Sequence, residues 1–230
     1  MVKYDIKYLK EKWDGMWDAI IPYNSPSKDR VKNMLNMVID NYQHGRAYHN
    51  ITHIEHGLRL LDDFRNSTKT QLSPMLELAW WFHDFVYDPA SKHNEMDSLV
   101  YLVEQYSPYL NKKDMIIAGE MILATSHLGL NRIGIETDVI MDIDLSILGE
   151  PKENYDVYEK GIKEEYYWVD DKTFKAERAK ILRYFLEGDI YKTEYFKERF
   201  DKQARINLEN AIKSLDGNEV TRRHIRQGLT

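Results

Sequence analysis

The chain has 230 residues, of which 43% are hydrophobic, so it is long and apolar enough to bury a full core. Its formal net charge of -6 argues against nonspecific binding to nucleic acid or to an anionic membrane, although a local basic groove stays compatible with that total. The absence of cysteine excludes disulfides and thiolate metal sites, so any metal ion must be held by histidine and carboxylate side chains.

Helical periodicity dominates the chain from its first residues. The N-terminal segment MVKYDIKYLKEKWDGMWDAI is charged throughout and lacks the apolar run of roughly 18 residues that a membrane span needs, so we expect a cytoplasmic protein. Apolar residues recur at helical spacing, as in Leu58, Leu61 and Phe64, and breaks rich in Pro, Gly and capping residues delimit about eight to ten helices. We therefore predict a compact all-α fold with one domain over residues 1–215 and a C-terminal tail over residues 216–230.

Histidine is concentrated in the first half of the chain. Seven of the eight histidines lie between His44 and His127. In the segment RAYHNITHIEHGLRLL, His49, His53 and His56 recur at i, i+4 and i+7, which places them along one side of a helix. Such a stripe of imidazole either faces a polar groove or lines a metal pocket.

A His-Asp pair follows the apolar run of ELAWWFHDFVYD. Adjacent helical residues point about 100° apart, so His83 and Asp84 can share one ion only at the edge of a helix. The alternative is an ordinary histidine and aspartate at a helix end. Both interpretations are compatible with the residues alone.

Two aspartates lie in the apolar stretch IMDIDLSILGE. A carboxylate among Ile, Leu and Met must be paired, hydrogen-bonded or metal-bound, because an uncompensated buried charge costs several kcal/mol. We expect one of Asp142 and Asp144 to face inward. The alternative for Asp142 is an N-terminal cap of the following helical segment.

Taken together, His53, His83-Asp84 and an aspartate near 144 resemble the H…HD…D pattern of the HD superfamily of metal-dependent phosphohydrolases, whose core is all-α. The segments RAYHNITHI, HDFVYDPASKHNEMDS, ATSH and DIDLSILGEPKENYDVY are similar to the branch known as predicted metal-dependent HD phosphohydrolases. The resemblance extends from about residue 10 to residue 213. The fold that it implies is a helical HD domain.

The resemblance implies one divalent ion, either Mn, Fe, Zn, Co, Ni or Mg, held by four side chains: His53, His83, Asp84 and Asp144. His49 and His53 reproduce the HxxxH spacing of the family, in which the second histidine is the ligand. For the last ligand, related members use the second aspartate of the DxD form, which favours Asp144 and leaves Asp142 as the alternative.

The anionic group of a substrate needs cationic or hydrogen-bonding partners close to the metal ion. Arg46 and His49 precede His53 and are candidates for substrate binding, and Arg178 matches an arginine of the family. His127 in ATSH is a candidate contact for phosphate or water. For each arginine the alternative is a solvated surface charge, and for His127 it is an ordinary residue at a helix end.

Three residues are expected to take part in catalysis: Asp84, His49 and Glu95. Glu95 can orient or deprotonate the attacking water if the turn after the His83-Asp84 pair folds over the site. Alternatively, Asn94 caps a helix and Glu95 only interacts favourably with the dipole of its first turn.

The expected function is hydrolysis of a phosphate bond, because a divalent ion with open positions lowers the pKa of bound water. The expected substrate is a small phosphorylated metabolite or a nucleotide, with no membrane and no stable nucleic-acid partner, and the oligomeric state stays open. One alternative is a non-catalytic module that binds a nucleotide signal in the same pocket. Further alternatives are a two-metal oxygenase, with extra ligands around His127, and a helical scaffold that binds no metal.

Overall fold

A computed structural model describes residues 3–20, 25–127 and 134–227, with side chains up to residue 217. This part of the chain is helical and contains no strand, which confirms the all-α prediction. Its α-helices are α1 (Ile6–Ala19), α2 (Lys28–Gln43), α3 (Ile51–Thr68), α4 (Pro74–Phe82), α5 (Asn94–Tyr106), α6 (Lys112–Ala124), α7 (Ile135–Leu145), α8 (Lys152–Glu165), α9 (Asp171–Glu187), α10 (Glu194–Phe196) and α11 (Lys202–Gln227). A 3-10 turn spans Ser146–Gly149, and a π-helical turn spans Lys197–Asp201.

Short polar side chains begin several of these helices. Asp5, Ser27 and Asn111 each accept a hydrogen bond from a backbone N–H of the first turn that follows them. Ser73 caps α4 in the same way, and Pro74 occupies the first helical position, where its missing N–H costs nothing. The helix starts are therefore encoded locally, as the breaks in the periodicity predicted.

Contacts between Cα atoms divide the chain into two units, residues 1–144 and 145–230. The first unit contains α1 to α6 and all of α7 except its last residue, and the second contains the helices from α8 onward. A single domain over residues 1–215 stays a prediction. The segment predicted as a tail falls largely within α11, while the side chains from residue 218 and all of residues 228–230 lie outside the described part.

Helix α4 forms the centre of the first unit. Every residue from Met75 to Phe82 is buried, and the helix packs against α1, α3, α5 and α6. Trp81 meets Trp13 of α1 edge to face, with the ring centroids 5.2 Å apart. This helix carries no solvent-facing stripe, so its end is held rigidly from several sides.

One carboxylate of α4, that of Glu77, is buried within an ionic network. Glu77 pairs with Arg65 and accepts a hydrogen bond from Lys12 Nζ at 3.1 Å. Lys12 also contacts Asp62 at 2.6 Å, and the Tyr8 hydroxyl donates to the same aspartate. The charge of Glu77 is thereby compensated by two cations, as a buried carboxylate requires.

In the second unit, the N-terminal part of α11 holds the 3-10 turn. The side-chain amide of Asn207 donates to the carbonyls of Leu148 and Glu150 at 2.9 and 2.8 Å. A Cβ on Gly149 would lie 2.5 Å from Cβ of Phe200, so this close approach requires glycine. The unit is thus organised around contacts between distant parts of its own sequence.

Within the described residues, no helix carries an apolar stretch long enough to cross a bilayer.

Candidate metal centre

Four of the predicted site residues meet in the first unit, and we call them the His-Asp cluster: His53, His83, Asp84 and Asp144. His53 lies in the first turn of α3, His83 and Asp84 directly follow α4, and Asp144 is in the last turn of α7. Nε2 of His53 is 3.2 Å from Nε2 of His83, and Oδ1 of Asp144 is 3.5 and 3.8 Å from these two nitrogens. Oδ2 of Asp84 lies 3.0 Å from Nε2 of His83 and 3.7 Å from that of His53.

Three members of the His-Asp cluster, His53, His83 and Asp144, have a spacing at which one divalent ion could bind. Bonds of about 2.0–2.2 Å from a metal to nitrogen and oxygen put neighbouring ligand atoms roughly 3.0–3.6 Å apart. The distances above run from 3.0 to 3.8 Å. One ligand atom each of His53, His83 and Asp144 lies within 4.8 Å of the other two, and Asp84 adds a fourth oxygen beside both imidazoles. These side chains therefore fit a first-row divalent ion, which accepts mixed nitrogen and oxygen ligands.

The imidazole of His83 is oriented by α4 and by α3. Its Nδ1 donates to the carbonyl of Trp80 at 2.8 Å, which turns Nε2 toward the cluster. The Trp80 indole stacks on the His83 ring with centroids 4.3 Å apart and donates from Nε1 to the Ile54 carbonyl. A Cβ on Gly57 would lie 2.1 Å from this indole, so α3 can approach Trp80 only with glycine at that position. Hydrogen bonds of this kind fix the ring nitrogen that a metal-binding histidine presents.

Sequence reasoning missed Trp80 and Gly57 as supports of the site. The available signal was the glycine itself, since an isolated glycine in a helical pattern often marks a close packing contact. Its partner lies 23 positions farther along the chain (80 − 57), and local periodicity carries no information about that contact.

Helix α4 ends at Phe82, so His83 and Asp84 lie in the turn that follows it. Arg46 holds this turn in place. Its guanidinium donates to the carbonyl of Asp84 at 2.6 Å and to the carbonyl of Phe85 at 2.7 Å. Both side chains of the pair thus reach the cluster from a helix end, which is the arrangement that the sequence required for a shared ion.

The cluster is charged even without an ion. Burial lowers the pKa of His53. Burial also acts to lower the pKa of His83, but the charges of Asp84 and Asp144 outweigh it and raise that pKa to about 9. Burial alone would raise the pKa of Asp84, yet His83 holds it below its ordinary value. In the same way, hydrogen bonds from His127 and His53 overcome the effect of burial and hold the pKa of Asp144 well below its ordinary value. The site is therefore built for positive charge between its carboxylates.

Asp144 rather than Asp142 belongs to the cluster. Asp142 lies within α7 and is completely buried, and the group of three mutually close ligand atoms contains Asp144. The alternative in which Asp142 caps the following segment is wrong, because Leu145 precedes the 3-10 turn and Asp142 is inside the previous helix. His127 lies on the other side of Asp144, with its Nε2 2.8 Å from Oδ2 of that residue.

Glu95 lies in the first turn of α5 and is half-buried. Burial raises the pKa of its carboxyl group, and the negative charges of Asp84 and Asp144 raise it further. The pKa of Glu95 thus responds to the negative charges of the cluster.

The alternative in which Asn94 caps α5 does not hold in the structure. His93 precedes the helix, which begins at Asn94, and no side chain caps it. The Asn94 side chain instead binds the backbone of Asp88, accepting from its N–H at 3.0 Å and donating to its carbonyl at 2.9 Å. This pair of bonds closes the loop that separates His83-Asp84 from Glu95.

His49 lies close to the cluster among aromatic rings. Its ring stacks on Tyr87 with centroids 4.2 Å apart and meets Tyr48 edge to face at 4.9 Å. The centroid of His53 is 5.9 Å away. The structure thus brings His49 to the site, and its roles in substrate binding and catalysis stay predictions.

The two predicted arginines have protein partners. Besides its contacts with the turn after α4, Arg46 lies over the ring of Tyr42 at 4.8 Å. Arg178 belongs to the second unit, where its guanidinium donates to Glu159 at 2.6 Å and to the Tyr158 hydroxyl at 2.8 Å. These contacts account for the burial of Arg178 without a ligand. A role of either arginine in substrate binding stays a prediction.

Comparison with known proteins gives no match, whether with protein-family models, with curated proteins or with solved structures.

Proposed function

We propose that this chain is a metal-dependent phosphohydrolase that acts on a small phosphorylated metabolite or a nucleotide. The observation that carries the proposal is the His-Asp cluster. Three separate helical segments bring ligand atoms of His53, His83 and Asp144 within 4.8 Å of one another, and Oδ2 of Asp84 lies beside both imidazoles. The resemblance of the sequence motifs to HD phosphohydrolases supplies the reaction class.

A divalent ion held by the cluster supplies a water of lowered pKa, which is a nucleophile at neutral pH. The residues of the chain do the remaining work. Glu95 accepts the proton of the attacking water, and its raised pKa suits a group that takes up and releases a proton. His49 donates to the anionic group of the substrate, and its stacking on Tyr87 fixes the plane of the ring.

Four further statements about this protein stay predictions. They are the substrate contacts of Arg46 and Arg178, the binding of a single ion, the cytoplasmic location and the absence of a stable nucleic-acid partner. They rest on sequence motifs, composition and charge.

The experiment compares the wild type with the His83→Ala/Asp84→Ala double variant. Both proteins are stripped with a chelator and reloaded with Mn²⁺, and elemental analysis then measures their metal content. Release of phosphate is followed against a panel of nucleotides and sugar phosphates. We expect about one ion per wild-type chain, hydrolysis of at least one panel member, and loss of both properties in the double variant.

The outcomes separate the alternatives. An ion without turnover on any panel member would favour the signal-binding module. If the wild type takes up no divalent ion under any loading condition, the alternative of a helical scaffold that binds no metal is favoured. A dependence on iron with two ions per chain would favour an oxygenase.

A further inference from the structure

His127 lies in a tight turn three residues after the end of α6. Its backbone N–H donates to the Ala124 carbonyl at 3.1 Å, and the hydroxyls of Thr125 and Ser126 donate to carbonyls three residues earlier at 2.7 and 2.8 Å. The three residues that follow the helix thereby satisfy the carbonyls at its end.

The backbone of His127 is left-handed, with φ at 53°. Glycine adopts this conformation most easily, because a Cβ comes close to the neighbouring carbonyl. Among the described residues other than glycine, positive φ occurs at His127 and at Lys69, which ends α3 with φ at 57°. Glycine would adopt this conformation with less strain but would lack the side-chain contact that His127 makes.

The side chain of His127 reaches one oxygen of Asp144, while the other oxygen of the same carboxylate belongs to the His-Asp cluster. Nε2 of His127 lies 2.8 Å from Oδ2. Oδ1 lies 3.5 Å from Nε2 of His53 and 3.8 Å from that of His83. The imidazole is largely shielded from water, with 14% of its side chain exposed.

We propose that His127 is a positioning residue. Its N–H donates to Oδ2 of Asp144 and thereby holds Oδ1 toward Nε2 of His53 and of His83, where an ion would bind. The inference rests on the metal site of the proposed function. It differs from the phosphate or water contact predicted from the sequence, because the partner is the carboxylate ligand. Hydrogen-bonded partners of metal ligands typically contribute 10–100-fold to metal affinity.

The test measures binding of Mn²⁺ alone to the chelated protein by titration calorimetry, together with the midpoint of urea unfolding without the ion. Four proteins are compared: the wild type, His127→Gly, His127→Asn and Lys69→Gly. Glycine removes the strain and the donor, whereas asparagine tolerates the left-handed backbone and keeps an N–H donor. The Lys69→Gly variant is the matched control, since it relieves the same backbone conformation at the end of α3.

We expect His127→Gly to bind Mn²⁺ about 10–100-fold more weakly than the wild type, with His127→Asn between the two. The Lys69→Gly variant should keep the wild-type affinity and unfold at a higher urea concentration. If the wild type and His127→Gly bind Mn²⁺ with equal affinity, the positioning role is refuted while the proposed metal site stands. Complete loss of the ion in both His127 variants would make His127 a direct ligand and overturn it as well. If the wild type binds no divalent ion, both the proposed metal site and the positioning role of His127 are refuted.

Discussion

Nε2 of His53 and Nε2 of His83 face each other at 3.2 Å in the interior of the first unit. Because Nδ1 of His83 donates to the Trp80 carbonyl, a neutral His83 presents only a lone pair at Nε2. A 3.2 Å contact with this lone pair is favourable if Nε2 of His53 carries a proton, or if a cation binds both nitrogens. In the proposed function, a divalent ion binds both of these nitrogens.

Removing either imidazole should abolish tight binding of the ion. We expect His53→Ala and His83→Ala to lower the affinity for Mn²⁺ at least 100-fold, since a direct ligand contributes more than a hydrogen-bonded partner of a ligand. The control is His56→Ala, which removes an imidazole from the same helix but from outside the cluster. Titration calorimetry on chelated protein measures all three, and loss of the ion in His56→Ala as well would point to a general folding defect.

Gly57→Ala should disturb both the fold and the site. The added Cβ would lie 2.1 Å from the Trp80 indole, which must then move away from His83. Overpacking of this kind costs about 1–3 kcal/mol of unfolding free energy, measurable with urea. Gly15→Ala in α1 is the control, because no atom lies within 4 Å of its added Cβ. An unchanged or higher stability is expected there, and the contact is refuted if the two variants behave alike.

Glu77→Ala should be among the most destabilising single changes in α4. It leaves Arg65 and Lys12 facing a site without a carboxylate, and breaking a buried ion pair costs about 3–5 kcal/mol. The surface pair of Lys7 and Glu11, at 3.8 Å, is the control. Glu11→Ala should change the urea midpoint very little, because exposed pairs contribute about 0–1 kcal/mol. Similar losses in the two variants would contradict the difference in burial on which this prediction rests.

Glu95→Gln tests the predicted proton acceptor. If Glu95 takes the proton of the attacking water, this variant should keep its Mn²⁺ and lose about 10²–10⁴-fold in kcat on the active panel substrate. Asp97→Asn makes the same isosteric change in the same turn of α5, on an exposed side chain. It should leave kcat near the wild-type value. A fully active Glu95→Gln protein would exclude the catalytic role of Glu95 while leaving the metal site intact.

Much of the fold could be predicted because its signals are local. Side-chain caps such as Ser73 before Pro74, and apolar spacing such as Leu58, Leu61 and Phe64, act within one or two turns. The alternative in which Asn94 caps α5 is wrong, because Asn94 is the first residue of that helix and His93 precedes it. The Asn94 side chain is drawn away from the cap by the backbone of Asp88, and that loop contact has no counterpart in the periodicity.

The residue types of the site were also predictable, but their partners were not. From the sequence, Arg46 is a cation available for a substrate or for solvent. In the structure, its guanidinium donates to the carbonyls of Asp84 and Phe85. Arg178 matches an arginine of the resembling family, yet Glu159 and Tyr158 occupy its guanidinium in the second unit. A charged side chain pairs with whatever the folded chain brings near it, and that neighbour is set by packing.

The sequence by itself determined that the chain is helical, where many of the helices begin, and which histidines and aspartates were able to bind an ion. These properties follow from backbone propensity, capping and side-chain chemistry, which act over a few residues. Only the tertiary structure decided that Asp144 rather than Asp142 lies beside His53 and His83, and that His127 reaches its second oxygen. Those outcomes depend on the rotation of α7 and on the end of α6, which packing against distant segments determines.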